Sequence, residues 1–256
     1  MDLSHRLSHP ALSVATAMPD SMRHRRCPPL ALWQALLSAA WLILAPLAAT
    51  AGAAQPPVAF EARYRLTLDG WPDMTIAHRL SRQSDHWQSR MQAEISIARA
   101  RETSRFRMVD GNVEALLYTS RYSLMGFGER FRLDADQLAT LPDRQTALFS
   151  LARRAPTAAC RGKAATPCTI GYLDHKGARK ALDYRVLGLD SRATPAGRFP
   201  AVTVEAWSPD KPERRLTLTF HRDVPGLLLG MSYRRDGERR SRLSLVNVSI
   251  ADDQPR

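Results

Sequence analysis

Residues 60–69 read FEARYRLTLD, and the alternation of apolar and polar side chains in this stretch decides the fold class. Phe60 and Tyr64 fall on one side of an extended chain, whereas Glu61 and Arg63 fall on the other. Period-two alternation with one polar side is the pattern of a β-strand that is buried on one face only. The stretch therefore predicts an amphipathic strand that opens a sheet.

The same pattern recurs along the rest of the chain, with turn residues between the apolar segments. Asp110-Gly111 is a strong signal for a two-residue hairpin turn. Further strands are expected near Met74–Leu80, Trp87–Ile97, Phe106–Met108, Val113–Leu124, Phe127–Leu133, Thr169–Asp174, Arg179–Leu187, Phe199–Trp207, Arg214–His221, Leu227–Arg235 and Arg239–Ile250. Many short strands separated by turns are typical of a meander that curls on itself. We therefore predict a mainly β fold, an antiparallel meander curled into an open or closed β-barrel-like sheet.

One segment departs from period two. Ala147, Leu148 and Leu151 recur at helical spacing, and Asp143 stands where the N-cap of a helix is expected. The sequence therefore predicts one short α-helix, Asp143–Arg154, inside a single β-rich domain that covers residues 55–256. A domain of this length buries about 70% of its unfolded surface, so it does not need a metal to fold.

Residues 1–54 are interpreted as an N-terminal extension followed by a signal-peptide helix. They contain a basic segment, an apolar segment and a run of small residues, in the order that export requires. The uninterrupted apolar core, Ala35–Ala45, has about 11 residues, whereas a membrane-spanning helix needs about 20. We expect cleavage after Ala51, Ala53 or Ala54, and a periplasmic location. An uncleaved N-terminal membrane anchor is the alternative.

Cysteine usage agrees with export. Two of the three cysteines, Cys160 and Cys168, follow the predicted cleavage sites. An even number in an exported chain favours a disulfide, which would close a small turn-rich loop and contribute about 2–3 kcal/mol. A metal-binding or redox pair is the alternative, but the spacing differs from Cys-x-x-Cys and His175 is the only histidine nearby in sequence.

The chain is strongly basic, with a formal net charge of +12. Almost all of the positive charge is arginine, since the lysines are only Lys163, Lys176, Lys180 and Lys211. A GC-rich genome is one explanation for this bias. The other is a surface for anions, because the guanidinium group binds phosphate and carboxylate through two parallel hydrogen bonds. Nucleic acid is not expected as a partner, because the compartment lacks it and no nucleic-acid-binding motif occurs.

Arginines at positions i and i+2 are the most repeated feature of the predicted strands. The three pairs are Arg63/Arg65, Arg105/Arg107 and Arg130/Arg132. Residues two apart in a strand share a face, so each pair would lie opposite the apolar residues of its strand. One interpretation is the solvated side of an amphipathic sheet. The other is an anion-binding face that contacts an anionic membrane or lipopolysaccharide.

Four segments of the second half follow the pattern of a known family. They are residues 143–151 (DRQTALFSL), the strand that ends at Leu187, residues 194–201 (TPAGRFPA) and residues 216–233. With the opening strand they resemble exported bacterial proteins of the domain of unknown function 3108 family, over residues 58–250. The resemblance implies a β-rich envelope protein and no established activity. One departure is residues 224–230 (VPGLLLG), whose two glycines predict a bulge or an opening at a sheet edge.

The sequence contains no motif of a catalytic or cofactor-binding site. Gly-x-Ser-x-Gly, His-Glu-x-x-His, P-loop and Gly-x-Gly-x-x-Gly patterns do not occur, and we expect no cofactor. An envelope hydrolase or metal-dependent enzyme would therefore need a site assembled by folding from dispersed groups. The candidates for such a site are His78, His86, His175, His221, Asp134 and Asp136.

The favoured hypothesis is a non-catalytic binding module for a lipid, an amphiphile or an envelope partner. A strongly bent sheet has a concave apolar face, which can hold one small apolar ligand. Methionines would make this face adaptable, and they are Met91, Met108, Met125 and Met231. A solidly packed core and a purely structural role in an envelope complex are the alternatives.

Overall fold

The fold is described from a computed structural model, over residues 55–95, 98–125 and 127–251. The predicted signal peptide, with its cleavage sites, falls on residues 1–54 and lies outside the described residues, as does Ile97 of the predicted third strand. Within the described residues, no helix is long and apolar enough to cross a membrane.

Over the described residues the chain forms twelve strands in one antiparallel sheet. They are β1 (Phe60–Leu68), β2 (Met74–Gln83), β3 (His86–Ile95), β4 (Ala98–Val109), β5 (Asn112–Leu124), β6 (Phe127–Asp134), β7 (Cys168–Leu173), β8 (Arg179–Thr194), β9 (Gly197–Ser208), β10 (Lys211–His221), β11 (Leu228–Arg235) and β12 (Glu238–Ile250). Their order in the sheet is β6-β5-β4-β3-β2-β1-β12-β11-β10-β9-β8-β7. Each half of the chain is thus a meander, and the two halves join where β1 pairs with β12. This confirms the predicted fold class.

The predicted period-two burial places the core on one face of the sheet, which we call the inner face. Phe60 pairs with Leu80 on one side and with Ile250 on the other, so apolar side chains of three strands lie side by side. Along β1, Ala62 and Tyr64 are buried, while the residues between them are exposed. The charged alternate positions form the opposite face, which we call the outer face.

The helix α2 (Arg144–Arg154) confirms the predicted helix, and a short α1 (Ala135–Leu138) precedes it. The fully buried Asp143 caps α2 by accepting hydrogen bonds from the backbone amides of Gln145 and Thr146 at 2.9 and 3.1 Å. Its carboxylate also accepts hydrogen bonds from the hydroxyls of Thr146 and of Ser104 in β4, at 2.7 and 2.5 Å. The cap therefore fixes α2 to the sheet.

Packing of α2 joins the two halves of the sheet. Phe149 packs against Phe106 of β4 at a ring-centroid distance of 4.6 Å. On the other side, Phe149 lies over Gly226 in the loop between β10 and β11. That glycine has φ +86°, and a Cβ there would come within 2.9 Å of the Phe149 ring. Gly226 thus permits both the turn and the close approach of the helix.

The structure differs from the predicted strand boundaries in two places. β4 begins at Ala98 rather than near Phe106, because its first half lacks large apolar residues and is defined by pairing with β3 and β5. β8 continues past Leu187 to Thr194 through a bulge between Val186 and Gly188. Strand pairing therefore extended the sheet where local hydrophobicity was too weak to predict it.

The segment 224–230 lies inside the sheet and not at an edge, because β11 is paired with both β10 and β12. The predicted bulge is present in this pairing, where the register shifts between Thr219 and Phe220. The predicted sheet opening is not found. β11 and β12 approach each other closely at Gly230, where a Cβ atom would come within 3.3 Å of the Leu243 carbonyl oxygen.

Candidate functional site: a basic groove on the outer face

All six arginines of the three predicted pairs lie on the outer face and are exposed. These arginines differ in whether a carboxylate of the protein neutralises the guanidinium charge. Arg107 forms a bidentate pair with Glu114 at 2.8 and 2.9 Å, which raises the pKa of Arg107 and lowers that of Glu114. Arg132 pairs with Asp134 at 2.8 Å, and Arg65 approaches Asp73 at 4.0 Å. Half of the predicted anion-binding face is therefore neutralised by the protein's own carboxylates.

The other three predicted arginines lack a carboxylate partner among the described residues. Arg105 donates a hydrogen bond to Gln88 at 3.3 Å, whereas Arg63 and Arg130 make no ion pair within the part of the chain that the structure describes. Arg130 belongs to an arrangement that the spacing of arginines along the sequence does not indicate. It lies directly opposite Arg121 of β5, which in turn lies opposite Arg101 of β4. We call Arg101, Arg121 and Arg130 the β4–β6 ladder.

A second set of three arginines lies side by side in the other half of the sheet. Arg215 of β10 pairs in register with Arg234 of β11, and Arg234 pairs with Arg239 of β12. We call these residues the β10–β12 ladder. Like charges directly opposite one another on neighbouring strands are destabilising, so each ladder is a cost to the folded domain.

The β10–β12 ladder lines a groove of about 500 Å³. Among the described residues, five arginines and one carboxylate line it, the additional ones being Arg192, Arg242 and Glu205. Hydroxyl groups fill much of the remaining lining, from Thr203, Thr217, Thr219, Ser232 and Ser244. The groove therefore combines an excess of guanidinium groups with short hydroxyl donors.

The long hairpin of β8 and β9 builds one wall of the groove. Residues 192–195 at its end line the groove together with residues of β10, β11 and β12. β8 also contacts β11 and β12, although β9 and β10 separate it from them in the sheet. The hairpin therefore curves back across the sheet, which turns an open face into a groove.

Trp207 fixes the position of one guanidinium in this groove. The Arg215 guanidinium carbon lies 4.3 Å from the Trp207 ring centroid, and the Arg185 guanidinium carbon lies 5.2 Å from it. Arg215 also lies 3.9 Å from a Glu205 carboxylate oxygen. Cation–π contact and a loose ion pair thus orient Arg215 while leaving some of its donors free. Arg192, Arg234, Arg239 and Arg242 have no ion pair within the described ranges.

The four candidate histidines do not come together. His78 is buried beside Ser89, at 2.9 Å, and burial lowers its pKa to about 4. His221 lies at the end of β10, where its Nδ1 accepts the Asp223 amide at 3.0 Å and burial lowers its pKa. His175 packs on Phe131, and His86 lies 2.9 Å from Asp85. The four histidines therefore do not form the site that folding was predicted to assemble.

Three of the candidate groups, His86, Asp134 and Asp136, line one shallow depression. Asp134, however, is engaged by Arg132, and its backbone amide donates to Gln137 at 3.1 Å. Within the described chain, no group of three His, Cys, Asp or Glu residues is placed to hold a metal ion.

Cys160 and Cys168 form the predicted disulfide, with Cα atoms 5.7 Å apart. Cys160 is buried, and its carbonyl accepts the Val186 amide at 2.9 Å. The bond therefore ties the start of β7 to the loop that packs against β8. Its role here is structural.

The part of the inner face beside α2 is packed. The enclosed space beside α2 measures only about 20 Å³ and is bounded by Phe60, His78, Leu80, Ser89, Met91, Gln145, Leu148, Phe149 and Gly226. A space of this size holds about one water molecule and no acyl chain. α2 packs against this part of the concave apolar face, and a lipid or amphiphile there stays a prediction.

No protein-family model matches the chain. No curated protein matches it either. Among solved structures, it is similar to a β-barrel-like protein of domain of unknown function DUF1849 from Brucella abortus, with a TM-score of 0.46, 13% identity, and coverage of 78% of this chain and 100% of that one. It is also similar to MucB, with a TM-score of 0.37, 16% identity, and coverage of 79% of this chain and 56% of that one.

The Pseudomonas aeruginosa MucA/MucB complex gives a TM-score of 0.36 and 13% identity, with coverage of 77% of this chain and 53% of that one. This chain thus spans about half the length of the MucB structures that it matches. At such identities the similarity concerns the fold alone.

Proposed function

We propose that this chain is an exported, non-catalytic binding module of the bacterial envelope, and that its basic groove binds anionic groups. The observation that carries the proposal is the lining of the groove, where five arginines face one carboxylate among the described residues. Phosphate and carboxylate groups are the chemistry that such a lining recognises, because guanidinium groups bind both through charge-assisted hydrogen bonds.

The energetics of the ladder support a bound anion. Arg215, Arg234 and Arg239 repel one another, so a bound anion would relieve repulsion as well as form hydrogen bonds. The hydroxyls add donors that need no countercharge. A volume of about 500 Å³ is in the range of sites for small molecules. The groove thus suits a multiply charged head group or sugar phosphate better than a single small ion.

The predicted signal peptide and the disulfide Cys160–Cys168 support an envelope location, since disulfides persist in oxidising compartments. In that compartment the groups of matching chemistry are the phosphates of lipopolysaccharide and the head groups of acidic lipids. MucB forms a complex with MucA, and a protein partner for the present chain remains a prediction. Membership of the domain of unknown function 3108 family also remains a prediction.

Titration calorimetry with inositol hexakisphosphate as a soluble polyanion tests the groove. We expect binding that weakens with salt, and a loss of about tenfold in affinity for Arg234→Gln, since a hydrogen bond to a charged group contributes about 1.5–3 kcal/mol. The matched control is Arg107→Gln, which removes an arginine that Glu114 already neutralises. Equal losses in both variants, or no binding by the parent chain, would refute the proposal.

A further inference from the structure

The turn between β5 and β6 exposes large apolar side chains. Leu124 is 48% exposed, Met125 74% and Phe127 83%. Single exposed apolar residues are common on protein surfaces, but adjacent ones that form a patch mark a contact with an apolar phase or partner. We call these three residues the apolar tip.

A second apolar group lies at the same end of the sheet. Leu66 pairs with Met74, and Thr75 pairs with Glu94, so the β1–β2 turn is at the end where β3 stops and β4 begins. Ala98 of β4 pairs with Leu124, which places the apolar tip at that end too. Trp71, in the β1–β2 turn, is 52% exposed. Two hairpins of the first meander thus present exposed apolar groups at one rim.

The β4–β6 ladder lies directly behind the apolar tip. Arg121 precedes Leu124 by three residues, and Arg130 follows Phe127 by three residues on the paired strand. Three residues of a strand span about 10 Å. The backbone of each of these two arginines therefore lies about 10 Å behind the apolar tip. An arginine side chain can extend over part of this distance.

The residues that pair across the neighbouring strands in line with this ladder form one row of the sheet. This row contains no acidic residue. Its paired residues run across β1 to β6, and all of them are described: Arg63, Ala77, Gln92, Arg101, Arg121 and Arg130. The rows on either side contain internal pairs, Arg79 with Glu61 at 3.2 Å and Arg99 with Glu94 at 2.7 Å. The arginines of the ladder itself make no ion pair in the described ranges. Positive charge is thus concentrated in a row that itself contains no carboxylate.

We propose that the apolar tip and the β4–β6 ladder form a membrane-docking surface for a bilayer that contains anionic phospholipids. Apolar groups of peripheral proteins enter the headgroup and acyl-chain boundary to about 5–10 Å. With the tip at that depth, the ladder lies at the level of the lipid phosphates, where each basic residue adds to binding. Trp71 has the amphipathic ring that favours the same interface.

The charge of the surface selects this partner over a second copy of the chain. A second copy would bring its own ladder, and the two sets of arginines would repel. An anionic bilayer instead supplies phosphate to the ladder and an apolar layer to the tip at the spacing that the hairpin provides. This surface uses residues different from those of the basic groove, so either proposal can fail while the other stands.

Co-sedimentation with vesicles tests the proposal, using chain purified from the periplasm after export. We expect binding to vesicles of phosphatidylcholine with phosphatidylglycerol, weaker binding to phosphatidylcholine alone, and weakening by salt. Phe127→Ser should lower partitioning into both vesicle types by about tenfold, because a large apolar side chain leaves the bilayer. Arg121→Gln should lower it by about fivefold, and only for vesicles that contain phosphatidylglycerol.

The opposite rim of the same meander supplies matched controls. Val109, next to the β4–β5 turn, is 40% exposed, and Arg82 at the end of β2 is also exposed. Val109→Ser and Arg82→Gln should each leave vesicle binding within about twofold of the parent, since neither residue touches the bilayer. Equal losses in the control and test variants, or no preference for phosphatidylglycerol, would overturn the proposal.

An independent measurement reports insertion directly. In a Phe127→Trp variant, brominated acyl chains should quench the fluorescence that the substitution adds. In a Val109→Trp variant they should not. Quenching at neither rim would show that the tip does not enter the bilayer, and equal quenching at both rims would show that the tip is not the docking surface.

Discussion

The two arginine ladders use the same cationic motif in different surroundings. Each places three arginines side by side on three neighbouring antiparallel strands of the outer face. The β10–β12 ladder is flanked by hydroxyls, by Trp207 and by the curved β8–β9 hairpin, which make a groove. The β4–β6 ladder is followed by the exposed apolar tip. We therefore infer that the neighbours of each arginine cluster, and not the cluster itself, determine whether it binds a soluble anion or a bilayer.

The largest effect on both ladders is expected when the structural support that they share is removed. Asp143→Ala deletes the buried cap of α2 and leaves the Ser104 and Thr146 hydroxyls and two backbone amides without their acceptor. We expect the free energy of unfolding to fall by about 3–4 kcal/mol, from the lost cap and the unsatisfied donors. Because α2 contacts strands of both halves, polyanion and vesicle binding should decline together.

Urea unfolding measures this change, with Asp143→Asn as the control. Asparagine keeps one acceptor oxygen and is a good N-cap, so this variant should lose clearly less stability. Retention of groove binding after loss of vesicle binding in Asp143→Ala would show that the halves fold independently.

Lowering the pH should destabilise the first meander, which contains His78. Burial lowers the pKa of His78 in β2 to about 4, below its usual value of 6.5. The unfolded chain therefore takes up this proton first, and the stability present above pH 6.5 is lost as the pH falls towards 4. The loss attributable to His78 is about 3 kcal/mol.

His78→Gln should remove this part of the pH dependence, since glutamine does not titrate and still reaches the Ser89 hydroxyl. Unfolding measured from pH 7 to pH 4 in parent and variant isolates the contribution of His78, because Asp143 and His221 titrate in both. Hydrogen exchange should show the largest acid-induced gain in β2 and β3. A parallel pH dependence of the two proteins would contradict the assignment.

The smallest effect is expected where an arginine is already paired. Arg107 is held by both oxygens of Glu114, so replacing both residues by glutamine removes no free charge. Affinity for inositol hexakisphosphate and for anionic vesicles should stay within about twofold of the parent. Calorimetry and co-sedimentation both test this, and a larger loss would mean that paired arginines contribute to binding.

Much of the fold followed from local patterns. Alternation along β1 predicted its two faces, Asp143 predicted the start of α2, and Asp110-Gly111 predicted the β4–β5 hairpin. Each of these signals acts within a few residues, so a single sequence contains it. The disulfide was also predicted, because an even number of cysteines in an exported chain favours pairing. The packing of α2 against the inner face was not predicted, since the sequence did not indicate which surface of the sheet the helix contacts.

The exposed positions of the paired outer-face arginines were predicted, but which of them a carboxylate neutralises was not. The spacing of Arg105 and Arg107 predicted exposure correctly, yet their partners Gln88 and Glu114 are on other strands. Pairing between strands depends on register, which a composition or a spacing does not contain. Three of the arginines predicted to bind anions are consequently neutralised by the protein itself, whereas the β10–β12 ladder and most of the β4–β6 ladder follow only from the strand register.

The apolar and the charged side of each strand follow from the sequence alone, because this alternation is local. Which charges meet depends on how the strands pair in the folded sheet. In the β4–β5 pairing the register shifts between Arg105 and Phe106, so that Arg101 lies opposite Arg121. Without that one-residue bulge, Arg101 would face Ser120, and Arg121 would turn to the inner face. The β4–β6 ladder exists because a single extra residue in β5 reverses the side of the sheet on which every later residue of that strand lies.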